Sequence, residues 1–307
     1  MIRQTLAAYW LPSVGIGPEG SMKQVYVPLT DVLKYRRADG SPQIDVVNVA
    51  AATFNPGPDF QQKPLLFDST FLTAFKEGQV AQLQAAGVKV VLTITGKSDD
   101  SGSMGWGSLS GEQLEQFTSF AAQSVLGPLW LNLDGIDIDD EYPSYGSAIV
   151  PVVKALRQAM PGGKILSKAL WNDDDYIKDL VGSLDYGAIM NYGDDAGYLE
   201  GRLRTYVEKY GFAPGNVMIG VNAGPGLNFD NVAFTSIPTA VALTAWHPPQ
   251  GPKMGMMLWS FSQDIQQFTG NPQNQSDLTY PNGQDHSWQQ AMIFAMESWP
   301  ANVNVPD

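Results

Sequence analysis

The chain has 307 residues, 44% hydrophobic and 16% charged, which is enough apolar material for one sizeable core and too little charge for disorder. Its 18 basic residues against 31 acidic ones give a net charge of −13. That balance argues against nucleic acid or an anionic membrane as partner, because phosphate recognition needs clustered cations.

In chain order, short β-branched or apolar runs recur at residues 6–11, 46–52, 89–95, 135–139, 165–170, 186–190, 217–221 and 256–260. Near-continuous apolar runs are what a parallel sheet covered on both faces requires. Between them, amphipathic patterns predict helices over 71–86 (stopped by Gly87), 111–126, 147–160, 176–181, 198–210 and 287–298. Eight strands alternating with helices predict a (β/α)8 barrel, one catalytic domain over residues 1–307. A doubly wound open sheet is the alternative, weakened because no G-x-G-x-x-G follows the first run. Residues 222–253 read as a loop with a short helix, and 263–285, rich in Gln, Asn, Pro and Gly, as a long surface loop.

The absence of cysteine excludes disulfides, a thiol nucleophile and thiolate ligands. With only His247 and His286, a multi-histidine metal site is hard to build. No stretch approaches the ~18 apolar residues of a membrane span. Met1 to Gln4 runs into an apolar segment without the layout of a signal peptide. The compartment stays open on that reading: secreted if a leader has been removed, cytoplasmic otherwise. A monomer is expected. The eight Trp could be core, or flat platforms for the apolar faces of sugars.

The informative segment is Leu133-Asp134-Gly135-Ile136-Asp137-Ile138-Asp139-Asp140-Glu141-Tyr142. Strand alternation puts Asp137, Asp139 and Glu141 on one face and Ile136, Ile138 and Asp140 on the other. In a barrel the first set points inward and the second faces the helices. Three carboxylates so spaced in a poorly solvated interior cannot all be ionised at neutral pH, so protons are held or shared among them. A general acid needs that condition, and Glu141 comes last, at the rim where barrel enzymes keep their chemistry. A solvated acidic loop is the plain alternative, against which the interleaved isoleucines speak. A calcium loop fits poorly, because glycine precedes the acidic ladder; a Mg²⁺ site at the barrel mouth stays open.

This segment resembles the D-G-x-D-x-D-x-E signature of glycoside hydrolase family 18, with Asp134, Gly135, Asp137, Asp139 and Glu141 in place. The resemblance implies a (β/α)8 barrel, no cofactor, no metal, and substrate-assisted retaining catalysis. On it, Glu141 is the proton donor, Asp139 orients the substrate's acetamide group, and Asp137 helps hold or share the proton of Asp139. Met190-Asn191-Tyr192 looks like the family's M-x-Y element, whose tyrosine bonds the acetamide carbonyl; Gly193 stands where an acidic residue often follows. Trp259 is similar to the tryptophan under the N-acetylglucosamine ring. Thr95-Gly96-Lys97 matches a family turn only in part. Tyr9, Trp10, Trp171 and Asn172 are further pocket candidates.

Asp139-Asp140-Glu141-Tyr142-Pro143-Ser144-Tyr145-Gly146 resembles the D-D-E-Y-x-x-Y-G of endo-β-N-acetylglucosaminidases of the Endo H type. This implies cleavage between the two core N-acetylglucosamines of N-linked glycans. The short stretch before the last strand, about thirty residues, leaves no room for the insertion domain of many processive chitinases. A chitinase acting on N-acetylglucosamine oligomers and an inactive sugar-binding relative are the alternatives.

Overall fold

The computed structural model describes residues 3–16, 21–96, 104–140, 146–171, 174–223, 234–269 and 284–298. In chain order its strands are β1 (Thr5–Trp10), β2 (Ser13–Ile16), β3 (Lys23–Tyr26), β4 (Val46–Phe54), β5 (Leu65–Phe67), β6 (Lys89–Thr95), β7 (Gly135–Asp139), β8 (Ile165–Leu170), β9 (Tyr186–Ile189), β10 (Val217–Asn222) and β11 (Gly255–Trp259). Eight of them close a parallel ring in the order β1, β4, β6, β7, β8, β9, β10, β11, with β11 returning to β1. Closure leaves the ring no unpaired edge. β2 and β3 form an antiparallel hairpin, and β5 pairs antiparallel with the end of β4. Each of the eight expected runs is a ring strand, within two residues of its expected bounds.

Helices α1 (Ser69–Lys76), α2 (Gln79–Ala85), α3 (Gly111–Phe120), α4 (Ile149–Ala159), α5 (Ala196–Glu208), α6 (Ile237–Ala245), the one-turn α7 (Gln266–Thr269) and α8 (Ser287–Ser298) accompany the ring. Three helix expectations need correction. The helix expected over 71–86 is two, broken at Gly78, whose φ of 76° is left-handed and cannot continue an α-helix. The segment 111–126 is α-helical only to Phe120 and ends in a π turn over Ala121–Val125. Residues 176–181 fall in two 3-10 turns, Asp175–Asp179 and Val181–Ser183. Between β10 and β11 the described residues hold the short α6, as expected of that stretch. Residues 270–283 of the expected surface loop lie outside the described residues.

Strand alternation divides the core in two. Leu6, Ala8, Trp10, Ile136, Ile138, Leu166 and Ile219 point outward into the layer shared with Phe71, Phe117, Leu156 and Leu203 of the helices. Ala7, Tyr9, Val46, Val91, Ala169, Tyr186, Met218 and Met257 fill the interior of the ring. The second set fixes which residues can meet a ligand at the barrel mouth.

The N-terminal rim is closed by a repeated device. Asp45, Asp134 and Asp185 each stand just before a strand, and each accepts the backbone N–H that opens the ladder of the strand beside it. Their Oδ2 atoms lie 2.9 Å from Leu6 N, 3.0 Å from Val90 N and 2.7 Å from Leu166 N. Each also donates its own N–H to the carbonyl of that same residue. A cation then braces every one: Arg3 and Arg37 at Asp45, Lys89 at Asp134, Arg157 at Asp185. Asp134, the first residue of the acidic signature, therefore works at the end of the barrel opposite to Asp139.

At the other side of β11, the buried carboxylate of Asp264 accepts the N–H groups of Trp288 (3.3 Å) and Gln289 (2.9 Å), anchoring the start of α8. Burial pushes this carboxyl up to about 8, against the pull of those backbone donors.

Two stability measurements follow. Asp45→Ala strands the Arg37 guanidinium, which is 6% exposed, and should cost about 3–5 kcal/mol in urea unfolding. Glu200→Ala, which removes a solvent-facing pair with Arg204, should cost less than about 0.5 kcal/mol. A folded-state pKa above the unfolded one means that the proton favours the fold. The contribution of Asp264 is thus full below about pH 4 and is lost as pH rises through 8. Relative to wild type, Asp264→Asn should show a smaller fall in melting temperature between pH 5 and pH 8.

Candidate active site

Asp137 sits on the inward face of β7, 1% exposed, at the centre of a hydroxyl cage drawn from three strands. Its Oδ2 accepts from Tyr9 Oη of β1 at 2.6 Å and from Thr93 Oγ1 of β6 at 3.2 Å. Its Oδ1 accepts from Ser167 Oγ of β8 at 2.7 Å. Thr93 and Ser167 are the direct register partners of Asp137 on the two flanking strands, so the cage follows from ladder register. Burial drives the Asp137 carboxyl upward, opposed by the three hydroxyls and by the nearby charge of Lys168. The Tyr9 phenol is held far above its ordinary value, first by burial and then by the charges of Asp137 and Asp139.

Asp139 ends β7 two residues further toward the C-terminal rim, half-buried, its backbone carbonyl accepting from Gly96 N at 3.0 Å. Two carboxyls thus stand two residues apart on one inward face, the deeper one hydrogen-bonded on both oxygens and raised by its burial. Glu141 and Asn172 lie outside the described residues, as do Lys97 and residues 142–145.

Around the carboxyls, several expected residues converge. Trp259 ends β11 with its indole 5.2 Å from the Tyr9 ring at an interplanar angle of 58°, and its peptide bond to Ser260 is cis. Met190 lies in the barrel interior, and Tyr192 packs on the same cluster. Gly220 makes room for that ring: a Cβ there would come within 3.1 Å of Tyr192 Cε1 and 2.1 Å of the Ile189 carbonyl. Asn191 turns the other way, its Oδ1 accepting from Arg202 Nε at 3.1 Å. Arg202 also reaches the carbonyl of Trp171, whose side chain is 40% exposed. Asp194 accepts from Ser236 N at 2.8 Å, the cap residue of α6.

Trp10 corrects an expectation. It is adjacent to Tyr9 on one strand, so its side chain points to the opposite side. It is fully buried in the outer core and donates its indole N–H to the Val27 carbonyl at 2.8 Å. So placed, it cannot line a pocket inside the barrel.

Thr93, Ser167, Asn48 and Asn222 are inward or rim polar residues that the sequence reading passed over. Their signal was there: polar side chains inside apolar runs. The parity that separates a caged hydroxyl from a surface one becomes visible only when the strands are in register. Among the described residues, no group of three or more His, Asp or Glu could hold a metal ion.

Tyr9→Phe deletes one donor to a buried carboxylate and should cost about 1.5–3 kcal/mol in urea unfolding at pH 7. Unchanged stability would mean that Thr93 and Ser167 satisfy Asp137 by themselves.

No protein-family model matches the chain. Among curated sequences, an endo-β-N-acetylglucosaminidase of Flavobacterium sp. (strain SK1022) is 30% identical over 151 residues, 45% of this chain and 45% of that protein. The killer toxin subunits alpha/beta of Kluyveromyces lactis are 33% identical over 94 residues, 25% of this chain and 8% of the toxin. The matches thus span less than half the length of these curated relatives. Among solved structures, a family 18 chitinase from Pseudoalteromonas aurantia superimposes with a TM-score of 0.62 over 95% of this chain and 99% of its own, at 19% identity. An endo-β-N-acetylglucosaminidase from Cordyceps militaris does so with 0.59 over 96% and 91%, at 18% identity. At such identities the likeness to these two is one of fold. Taken together, acidic strand, closed barrel and relatives make this chain similar to glycoside hydrolase family 18, whose endo-β-N-acetylglucosaminidases and chitinases it resembles.

Proposed function

We propose that the whole chain is one catalytic domain, a retaining endo-β-N-acetylglucosaminidase cutting the β-1,4 bond between the two core N-acetylglucosamines of N-linked glycans. The observation that carries this reading is the caged, buried Asp137 beside Asp139 on a strand leading directly to Glu141. In the proposed mechanism Glu141 protonates the glycosidic oxygen as the substrate's 2-acetamido oxygen attacks the anomeric carbon. Asp139 orients the acetamide N–H and stabilises the positive charge of the oxazolinium ring, while Asp137, gripped by Tyr9, Thr93 and Ser167, holds or shares its proton. The Tyr192 hydroxyl binds the acetamide carbonyl, and Trp259 lies under the sugar ring. Water activated by the same glutamate opens the ring with net retention.

The N-glycan core is favoured over chitin by the Asp139-Asp140-Glu141-Tyr142 run and by the name of the Flavobacterium relative. A variant of the Cordyceps protein with the same barrel, TM-score 0.58 at 16% identity, is solved with fucosyl-N-acetylglucosamine-Asn, a glycan stub of that kind. Chitin hydrolysis is the second reading, favoured by the likeness to the Pseudoalteromonas chitinase.

Treatment of a high-mannose glycoprotein should leave a single N-acetylglucosamine on each Asn, detected by mass spectrometry, and should persist in EDTA. Release of chitobiose from chitin oligomers with no change on any N-glycoprotein would hand the assignment to the second reading. Glu141→Gln should lower kcat by about 10²–10⁴-fold with KM nearly unchanged. Asp139→Asn should also cause a large drop in kcat.

A further inference from the structure

On the outward side of the barrel wall, directly behind the acidic ladder, lie two charges that the proposed chemistry does not use. Lys168 of β8 is 2% exposed, and Asp140, the residue after β7, is 5% exposed. Lys168 is the register partner of Ile138, one step from the pairing of Ser167 with Asp137. Its Nζ donates to the Asp140 backbone carbonyl at 3.5 Å. The Asp140 carboxylate packs at the end of β6, where a Cβ on Gly96 would stand 3.7 Å from its Oδ1. Among the described residues neither of its oxygens has a hydrogen-bond partner, and Lys168 is the opposing charge that acts on it through space. Asp174 and Tyr176, from the segment after β8, face the same spot.

Apolar residues of similar volume would satisfy this wall at least as well, because a buried ion pair seldom adds net stability. What the ammonium supplies, and a leucine would not, is a fixed positive field close to both sides of β7. Burial raises both the Asp137 carboxyl inside the barrel and the Asp140 carboxyl outside it, and the Lys168 charge, on the strand paired with β7, works against that rise on each.

We propose that Lys168 and Asp140 are a positioning pair: the buried ammonium grips the exit of β7 through the Asp140 carbonyl and, one register step from Asp137, sets the electrostatic field under which that inward carboxyl holds its proton. Asp140 in turn helps to hold the ammonium in place.

Only the kinetic arm of the test rests on the proposed hydrolase reading. In the full chain labelled for carboxyl carbon-13 NMR, with Asp137→Asn to assign the signal, Lys168→Met should raise the Asp137 titration midpoint by about 1 pH unit. The double variant Lys168→Met/Asp140→Asn, which removes both buried charges together, should fold even where the single variant does not. It should move the midpoint in the same direction by less, since a negative charge goes too. On whichever glycan the wild type cleaves, the pH–rate profile should move upward by a similar amount. An unmoved Asp137 midpoint in the folded variants overturns the proposal. So does a loss of kcat with an unmoved pH profile, which would reduce the pair to packing. Absence of hydrolysis by the wild type would sink the hydrolase reading and leave the NMR result to judge the pair.

Discussion

A carboxyl buried at the centre of a closed barrel constrains everything near it. Burial makes Asp137 hold its proton more tightly than an exposed aspartate does, and its ionised form needs hydrogen-bond donors. Three strands answer this by presenting a hydroxyl each: Tyr9, Thr93 and Ser167. Those bonds tie β1, β6 and β8 to β7 across the interior, which makes the register of the ladder and the protonation of the carboxyl a single problem. A slip of one residue would turn the acids toward the helices and Ile136 and Ile138 toward the interior of the ring.

The two ends of the barrel use aspartate for opposite ends. At the N-terminal rim, Asp45, Asp134 and Asp185 accept backbone N–H groups and are braced by Arg or Lys, an arrangement in which charge is fully answered. Toward the C-terminal rim, Asp137, Asp139 and Asp140 stand close together with burial raising Asp137 and Asp140. The first arrangement holds strands; in the second, burial makes carboxyls hold their protons more tightly than usual. The acidic signature straddles both, because its first residue belongs to the stabilising end.

Small residues shape the C-terminal end of the barrel on both sides of its wall. Gly220 lets the Tyr192 ring lie against β10, and Gly96 leaves room for Trp106, whose indole is fully buried next to the exit of β6. Trp259 and Tyr9 then share one wall of the interior. Such a site is built by what the strands omit at their C-terminal ends, with the loops above them free to differ among proteins that share the barrel.

The sequence by itself determined the eight strands, because a strand buried on both faces must be a short apolar run, and that run is legible without any partner. It also determined that Asp137 and Asp139 share a face, since alternation is a local property of the backbone. It could not determine which face looks inward where both are apolar. Tyr9 and Trp10 read alike as pocket candidates, yet one cages Asp137 and the other anchors the outer core on Val27. Nor could it announce that Lys168, Thr93 and Ser167 gather round one strand, because they are brought together by register between strands far apart in sequence. Helix ends escaped for a related reason: the break at Gly78 and the π turn after Phe120 are set by how each segment fits the barrel beneath it, a fit that exists only once the ring has closed.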